Sequence, residues 1–228
     1  MQITYLISAL AANLRSLQEK LYTAGMAGAP TGLRERKKRE TRESLTRTAL
    51  QLFAERGYDE TTLAEIAEAA GVSTRTIFAY FPSKEDILFA TTQEMCNALS
   101  DALSERPAGT DALTALRQFI LSSAHEKTEL DQKLGQLIAR DATLASHKRA
   151  RISQLQEALS AAIADDLGVG PDDLRPQVPA ASLTAAFEVL EKQNGGRMSA
   201  PTAEEIAAAI DPVISFVRAG LQSFPDEA

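Results

Sequence analysis

Residues 73–76, Ser-Thr-Arg-Thr, follow directly on Gly71-Val72 and place three hydroxyls and one guanidinium within about one helical turn. A guanidinium donates in a rigid fork that matches guanine O6 and N7. Threonine can bond a phosphate oxygen or set its methyl against that of thymine. Upstream, Arg34-Glu-Arg-Lys-Lys-Arg39, followed by Arg42, forms a cationic run. Such runs are ordinarily solvated faces. Ahead of a helix, the same run can track a phosphate backbone or reach into a minor groove as a basic arm.

Other chemistries are poorly supplied. One cysteine, Cys96, excludes an intramolecular disulfide and a thiolate zinc cluster and points to a reducing, cytoplasmic setting. Two histidines, His125 and His147, argue against a Ser-His-Asp triad or a multi-histidine metal site. With 5% aromatic residues and no Trp, an aromatic platform for sugars or stacked bases is not expected. Asp165-Asp166 and Asp172-Asp173 flank a Gly/Pro loop and read as helix caps, His125 and His147 as surface residues and Cys96 as core. Glu126 and Glu129 lack the partner that would mark an acid–base pair. The chain is therefore read as no enzyme, with no cofactor and no metal.

The elements that position the cationic groups are helices. Ala, Leu, Glu, Arg and Gln dominate and alternating β-branched runs are absent. Breaks are expected at Gly57, Gly71-Val72-Ser73, Pro82, Pro107-Ala-Gly109, Gly168 to Pro171, Pro176 to Pro179, Gly195-Gly196 and Pro201. An all-α protein follows, with roughly nine or ten helices between Leu33 and Ser223. A first helix is predicted from about Arg39 to Arg56, with Leu45, Ala49, Leu52 and Phe53 inward. Thr62 and Glu65 have the spacing of a capping box for a short second helix bearing Leu63, Ile66, Ala67 and Ala70. Ser73 or Thr74 caps a third, with Ile77 and Phe81 inward and Thr74, Arg75, Thr76, Ala79 and Tyr80 outward. Two short helices joined by a Gly-containing turn form a helix-turn-helix, although any short helical hairpin leaves polar residues outside.

The longer string separates those readings. Residues 49–88, ALQLFAERGYDETTLAEIAEAAGVSTRTIFAYFPSKEDIL, closely resemble the DNA-binding domain of the TetR family of bacterial transcriptional regulators. The likeness covers about residues 38–90 and includes the LFAERGY start, the TT-xxx-IA-xxAGVS turn and the FxxKEDIL continuation. It implies DNA contacts through Ser73, Thr74, Arg75, Thr76, Phe78, Tyr80 and Lys84, and a phosphate contact from Thr62. Phe78 and Tyr80 would serve equally well as packing residues. Ala79 departs from the family, which commonly has an aromatic residue there. Arg39 and Arg42 join the DNA-contacting set through the basic run.

A net charge of −7 would seem to repel nucleic acid, but its distribution matters. Residues 33–56 hold eight basic and four acidic side chains, a balance of +4. Residues 91–228 hold 12 basic and 20 acidic, a balance of −8, so that region should do something other than bind DNA. Its helices are expected at about 84–105, 112–128, 130–140, 144–167, 179–194 and 202–223. Ile206, Ile210, Val213, Ile214, Val217 and Leu221 form one apolar stripe on the last of these. The resemblance implies that the last two helices of each copy build a homodimer, which the stripe fits, though a core helix would look the same. It further implies operator DNA as partner and a small-molecule inducer held by the other helices. Residues 140–145, 155–164 and 173–178 loosely resemble the family's acyl-CoA-binding subgroup, which implies a lipid-like or acyl-CoA ligand.

The domain reading is an N-terminal extension and linker over 1–32, a helix-turn-helix DNA-binding domain over 33–82 and a ligand-binding and dimerisation domain over 83–228. In the first of these, Ile3, Leu6, Leu10, Leu14, Leu17 and Leu21 recur at helical spacing. It lacks a cation ahead of its apolar stretch, unlike a signal peptide. It is either an added amphipathic helix or upstream sequence ahead of a native start at Met26. No apolar run approaches the roughly 20 residues of a membrane helix, and no membrane partner is expected. Deleting residues 1–25 decides the point. Weakened DNA binding or self-association would make the segment part of the fold, and unchanged behaviour in both assays would make it dispensable upstream sequence.

Overall fold

A computed structural model describes residues 33–123, 129–170, 172–193 and 202–224. The N-terminal extension and His125 lie outside these residues. Ten α-helices and no strands occur among the described residues. They are α1 (Leu33–Arg56), α2 (Leu63–Ala69), α3 (Thr74–Tyr80), α4 (Lys84–Leu88), α5 (Ala90–Ser104), α6 (Ala112–Ser122), α7 (Glu129–Arg140), α8 (Ala142–Leu167), α9 (Leu174–Gln193) and α10 (Ala203–Gln222). None is long and apolar enough to cross a membrane.

Three expected boundaries differ. α1 begins at Leu33, so the cationic run is helical and not an extended arm. Strong helix formers and side chains matched at i,i+4, Arg36 with Glu40 (3.2 Å) and Arg39 with Glu43 (3.9 Å), carry the helix back through it. The expected helix over 84–105 is two helices broken at Phe89, whose backbone stands at φ −100°, ψ 10°. The break buries the Phe89 ring with the N-terminal helices while the following turns, with Met95 and Cys96, join the C-terminal ones. α9, conversely, runs through Pro176 and Pro179. Pro176 lies in the first turn, where its missing N–H leaves no intrahelical bond unmade, and Pro179 removes only one such bond.

Apolar side chains form two cores. The first gathers Leu45, Ala49 and Phe53 of α1, Ile66 of α2, Ile77 and Phe81 around α3, and Ile87 and Leu88 of α4. It also contains Leu134 and Ile138 of α7 and Leu144 of α8, so packing runs across the 82/83 boundary. The second unites Leu99 and Leu103 of α5, Leu116 and Ile120 of α6, Ile152, Leu159 and Ile163 of α8, Leu183 of α9, and Ile210, Ile214 and Val217 of α10. Thus the apolar stripe of α10 faces its own protomer's core, with Ile206, Val213 and Leu221 packed at its margin. α8 belongs to both cores. Asp141 starts it by accepting from the Thr143 and Leu144 N–H groups, and Gly168, at φ +65°, ends it in a conformation that disfavours a side chain.

Arginine–aspartate pairs tie the second unit together. Arg117 of α6 holds Asp211 of α10 through two bonds of 2.6 and 2.8 Å, and Arg218 of α10 holds Asp111 through two of 2.9 Å. Arg106 reaches Asp165 and Asp166 at 2.7 Å each, and Asp166 also accepts from the first amide of α6. Asp166 is thus cap and counter-ion together, while Asp165 serves as counter-ion alone. Asp173 accepts from the Arg175 N–H at the start of α9. Cys96 is buried, and burial pushes its thiol up to about 11. His147 is half-buried, not free on the surface, and close enough to Glu85 to help hold that carboxyl low.

The Arg218 hydrogen bonds hold the Asp111 carboxyl at about 2, below its ordinary 3.8. A folded-state value below the unfolded one means that ionised Asp111 stabilises the fold above pH about 4, and that this contribution is lost as pH falls toward 2. Asp111→Asn should therefore melt at a lower temperature than the parent near neutral pH, the gap narrowing progressively as acid is added. Thermal unfolding followed by circular dichroism across that range is the check. A gap independent of pH would assign the effect to something other than the carboxylate.

Candidate nucleic-acid interface

The site is built from short helices that depend on their ends. α2 opens on a complete capping box: the Thr62 hydroxyl accepts from Glu65 N–H (3.2 Å), and the Glu65 carboxylate accepts from Thr62 N–H (2.8 Å). The bonds that the Glu65 carboxylate accepts from Thr62, the backbone N–H first and then the hydroxyl (2.8 Å), lower that carboxyl from its ordinary value, and Arg56 adds an ion pair at 3.4 Å. α2 ends where Val72 N–H returns to Ala67 carbonyl at 2.9 Å and Gly71 stands at φ +67°. The chain then reverses into α3, which Ser73 caps by accepting from Thr76 N–H at 3.1 Å. The hydroxyls of Ser73 and Thr76 are 2.8 Å apart and bonded to each other.

Ile77 and Phe81 anchor α3 from below, at 0% and 1% exposure. Its outer surface carries Arg75, Phe78 and Ala79, all exposed, with Thr74 and Thr76 half-exposed beside them. Phe78 is 54% exposed, so the core does not require it, whereas Tyr80 packs partly against that core. Arg75 makes no hydrogen bond or ion pair with any described residue. An unoccupied guanidinium on the exposed face of a capped helix is a donor set presented to an external acceptor. Arg36 and Arg39 extend the cationic character along α1.

Two of the expected cationic contacts are tied to other elements of the fold. Arg42 bonds the Tyr80 carbonyl at 2.7 Å, and its guanidinium carbon sits 4.1 Å from the Phe81 ring centroid. Lys84 donates to the carbonyls of Tyr58 (2.8 Å) and Thr61 (3.0 Å) and lies 4.1 Å over the Tyr58 ring. Two of its three N–H donors are thereby committed to the loop between α1 and α2, leaving one for an outside group.

Sequence reasoning missed the residues that hold α4. Tyr58 is 8% exposed; burial, and then the nearby Glu85 carboxylate, push its phenol above the usual range. Glu85 itself is held low, first by its own backbone N–H and also by Ser83, Tyr58 and His147. Arg151 of α8 pairs with Asp86 at 3.0 Å and lies 4.7 Å over the Phe89 ring, at the break between α4 and α5. Its only sequence signal is its place one residue before Ile152 in a helix that also joins both cores.

Residues 45–91 match the family of bacterial regulatory proteins of the tetR type, and residues 110–222 match the MftR C-terminal domain. The HTH-type transcriptional regulator TcmR of Streptomyces glaucescens is 33% identical over 172 residues, which covers 71% of this chain and 76% of that protein. The chain belongs to the TetR family. The HTH-type regulator HbdR of an Aromatoleum species is 41% identical over 75 residues, 33% of this chain and 31% of that protein. A TetR-family regulator from Streptomyces coelicolor shares the fold at a TM-score of 0.51 and 22% identity, over 81% of this chain and 85% of that one. As a TetR protein the chain is a DNA-binding transcriptional regulator and not an enzyme.

Arg75→Ala is expected to lower specific DNA affinity by about 1–3 kcal/mol and relax sequence preference, with helix content and oligomeric state unchanged. Footprinting on the DNA upstream of its own gene reads the result. Undiminished operator discrimination by the variant would remove Arg75 from base reading.

Proposed function

We propose that this TetR protein is a homodimeric repressor whose hold on operator DNA is released when a small molecule enters the helical body. In this reading residues 33–82 form the DNA-binding head and residues 83–228 the sensing and dimerising body. Thr74, Arg75, Thr76 and Phe78 face the major groove, while Thr62, Ser73, Tyr80, Arg39 and the spare donor of Lys84 serve the phosphate backbone. The observation that carries the switch is α8, whose Leu144 packs in the head's core while Ile152, Leu159 and Ile163 pack in the body's. A ligand that shifts α8 must also shift the head. Ligand and DNA then bind best to different head placements, and each weakens the other by the same factor.

Dimerisation is supported by apolar side chains left outside the protomer. On α9, Leu174, Val178 and Val189 are 65%, 49% and 53% exposed, and spacings of four and eleven residues keep them on one face. Phe216 of α10 is 75% exposed. A two-fold pairing of these last two helices would cover that surface and set two α3 helices against successive major grooves. A lipid-like or acyl-CoA inducer is supported by the fatty acid metabolism regulator protein of Bacillus subtilis. That protein is 28% identical over 110 residues, 47% of this chain and 48% of its own length.

Fluorescence anisotropy on upstream promoter DNA tests the reading. Affinity should fall steeply with added salt, as phosphate neutralisation requires. Lauroyl-CoA or palmitoyl-CoA should weaken binding by roughly 5–150-fold, with free coenzyme A inert. Indifference to the whole acyl-CoA series would refute the ligand class. Phe216→Glu should convert a dimer to monomer in native mass spectrometry, and a dimer that survives would place the interface elsewhere.

A further inference from the structure

We propose that Arg42 is a positioning residue for the recognition helix, fastening the C-terminal end of α3 to α1 and α5, and that it does not contact phosphate. This rests on the reading of α3 as the helix that faces the bases. Seven residues give α3 few intrahelical bonds, and its last carbonyls have no partner within the helix. The Ile77 carbonyl is taken by Phe81 N–H at 2.9 Å. The terminal Tyr80 carbonyl is taken by Arg42 Nη1 at 2.7 Å, which sets a cation at the negative end of the helix dipole.

The face of the guanidinium and its Nε are also occupied. Its face lies over Phe81, 4.1 Å from centroid to Cζ, and the 1% exposure of Phe81 makes that ring a fixed platform. Its Nε faces Glu94 of α5 at 3.5 Å. One planar group on α1 therefore joins the end of α3, through the Tyr80 carbonyl and the Phe81 ring, to Glu94 of α5. Neighbouring cations of the same run behave otherwise. Arg36 and Arg39, at 60% and 52% side-chain exposure, pair with glutamates on their own helix, whereas Arg42 is at 34% and pairs across helices. The Glu94 carboxylate offsets the very charge that a phosphate would need. Lysine, a compact ammonium without a planar fork, cannot hold the carbonyl, the ring face and the Glu94 carboxylate in one fixed geometry.

The test uses full-length protein, thermal melts to confirm folding, and anisotropy on operator and scrambled duplexes over a series of KCl concentrations. R42A should lose about tenfold in operator affinity, with little change on scrambled DNA and an unchanged dependence on log salt. R42K should resemble R42A, and E94Q, altering an exposed partner, should show a smaller loss of the same kind. A salt slope reduced by about one in R42A, or full rescue by R42K, would make Arg42 a phosphate contact and overturn the proposal. Unchanged operator affinity in both variants would overturn it equally. If R42A does not fold, R42K and E94Q decide alone. R75A runs alongside: retained discrimination there would sink the assignment of α3, independently of what Arg42 does.

Discussion

Seven residues cannot hold themselves in a helix. α3 has fewer than two full turns of backbone bonds, far below the length at which an isolated helix persists in water. The head is organised around supplying from outside what α3 lacks. Ser73 takes the Thr76 amide, Gly71 permits the sharp entry, and Ile77 and Phe81 pin one face to the core. α1, at 24 residues, provides the rigid surface against which this is done. With those roles met by buried or capping groups, Arg75 and Phe78 remain exposed. A donor held on a fixed frame loses less entropy on meeting its acceptor than one on a mobile loop.

The same dependence recurs at α4, which has five residues and joins head to body. Lys84 fixes its start to the α1–α2 loop, and Arg151 of α8 grips Asp86 and Phe89 at its end. α4 therefore has little freedom to move independently of α8. Leu134 and Ile138 of α7 add a second hydrophobic tie from body helices to head. The N-terminal helices thus meet the later ones through a packed junction. Any allosteric change would exchange one set of junction contacts for another, because close-packed interiors deform in discrete steps.

Local signals in the sequence were strong where structure is local. The Thr62/Glu65 capping box, the Gly71 turn, the Ser73 cap and the inward set Leu45, Ala49, Leu52 and Phe53 are all fixed by spacings of a few residues. Signals failed where a residue's partner is distant in the chain. Arg42 and Arg39 look alike in a cationic run, yet only Arg42 continues the buried stripe backward from Leu45 by one turn. The stripe on α10 was ambiguous for a related reason. Periodicity reports that a face is apolar and not what covers it, and here the protomer's own core does. The break at Phe89 was invisible because no Gly or Pro marks it; two cores competing for consecutive turns create it.

Charge shows how a net value can mislead about a partner. The chain carries −7, yet electrostatic attraction between exposed groups fades over about 8–10 Å at physiological salt. An approaching charged group therefore responds to the surface nearest to it, and the basic first turns of α1 differ in sign from the acidic helices that follow residue 90. Four of the 20 acidic residues beyond residue 90, Asp111, Asp211, Asp165 and Asp166, each face an arginine across a helix boundary. Such partly exposed pairs add little stability individually, about 0–1 kcal/mol. Their bidentate geometry fixes how α6 lies on α10, which an apolar contact alone would leave free to slide. Acidic residues in the body and basic ones in the head thus answer separate demands. One set holds helices at defined angles to each other. The other presents cations on a surface that those helices keep in place.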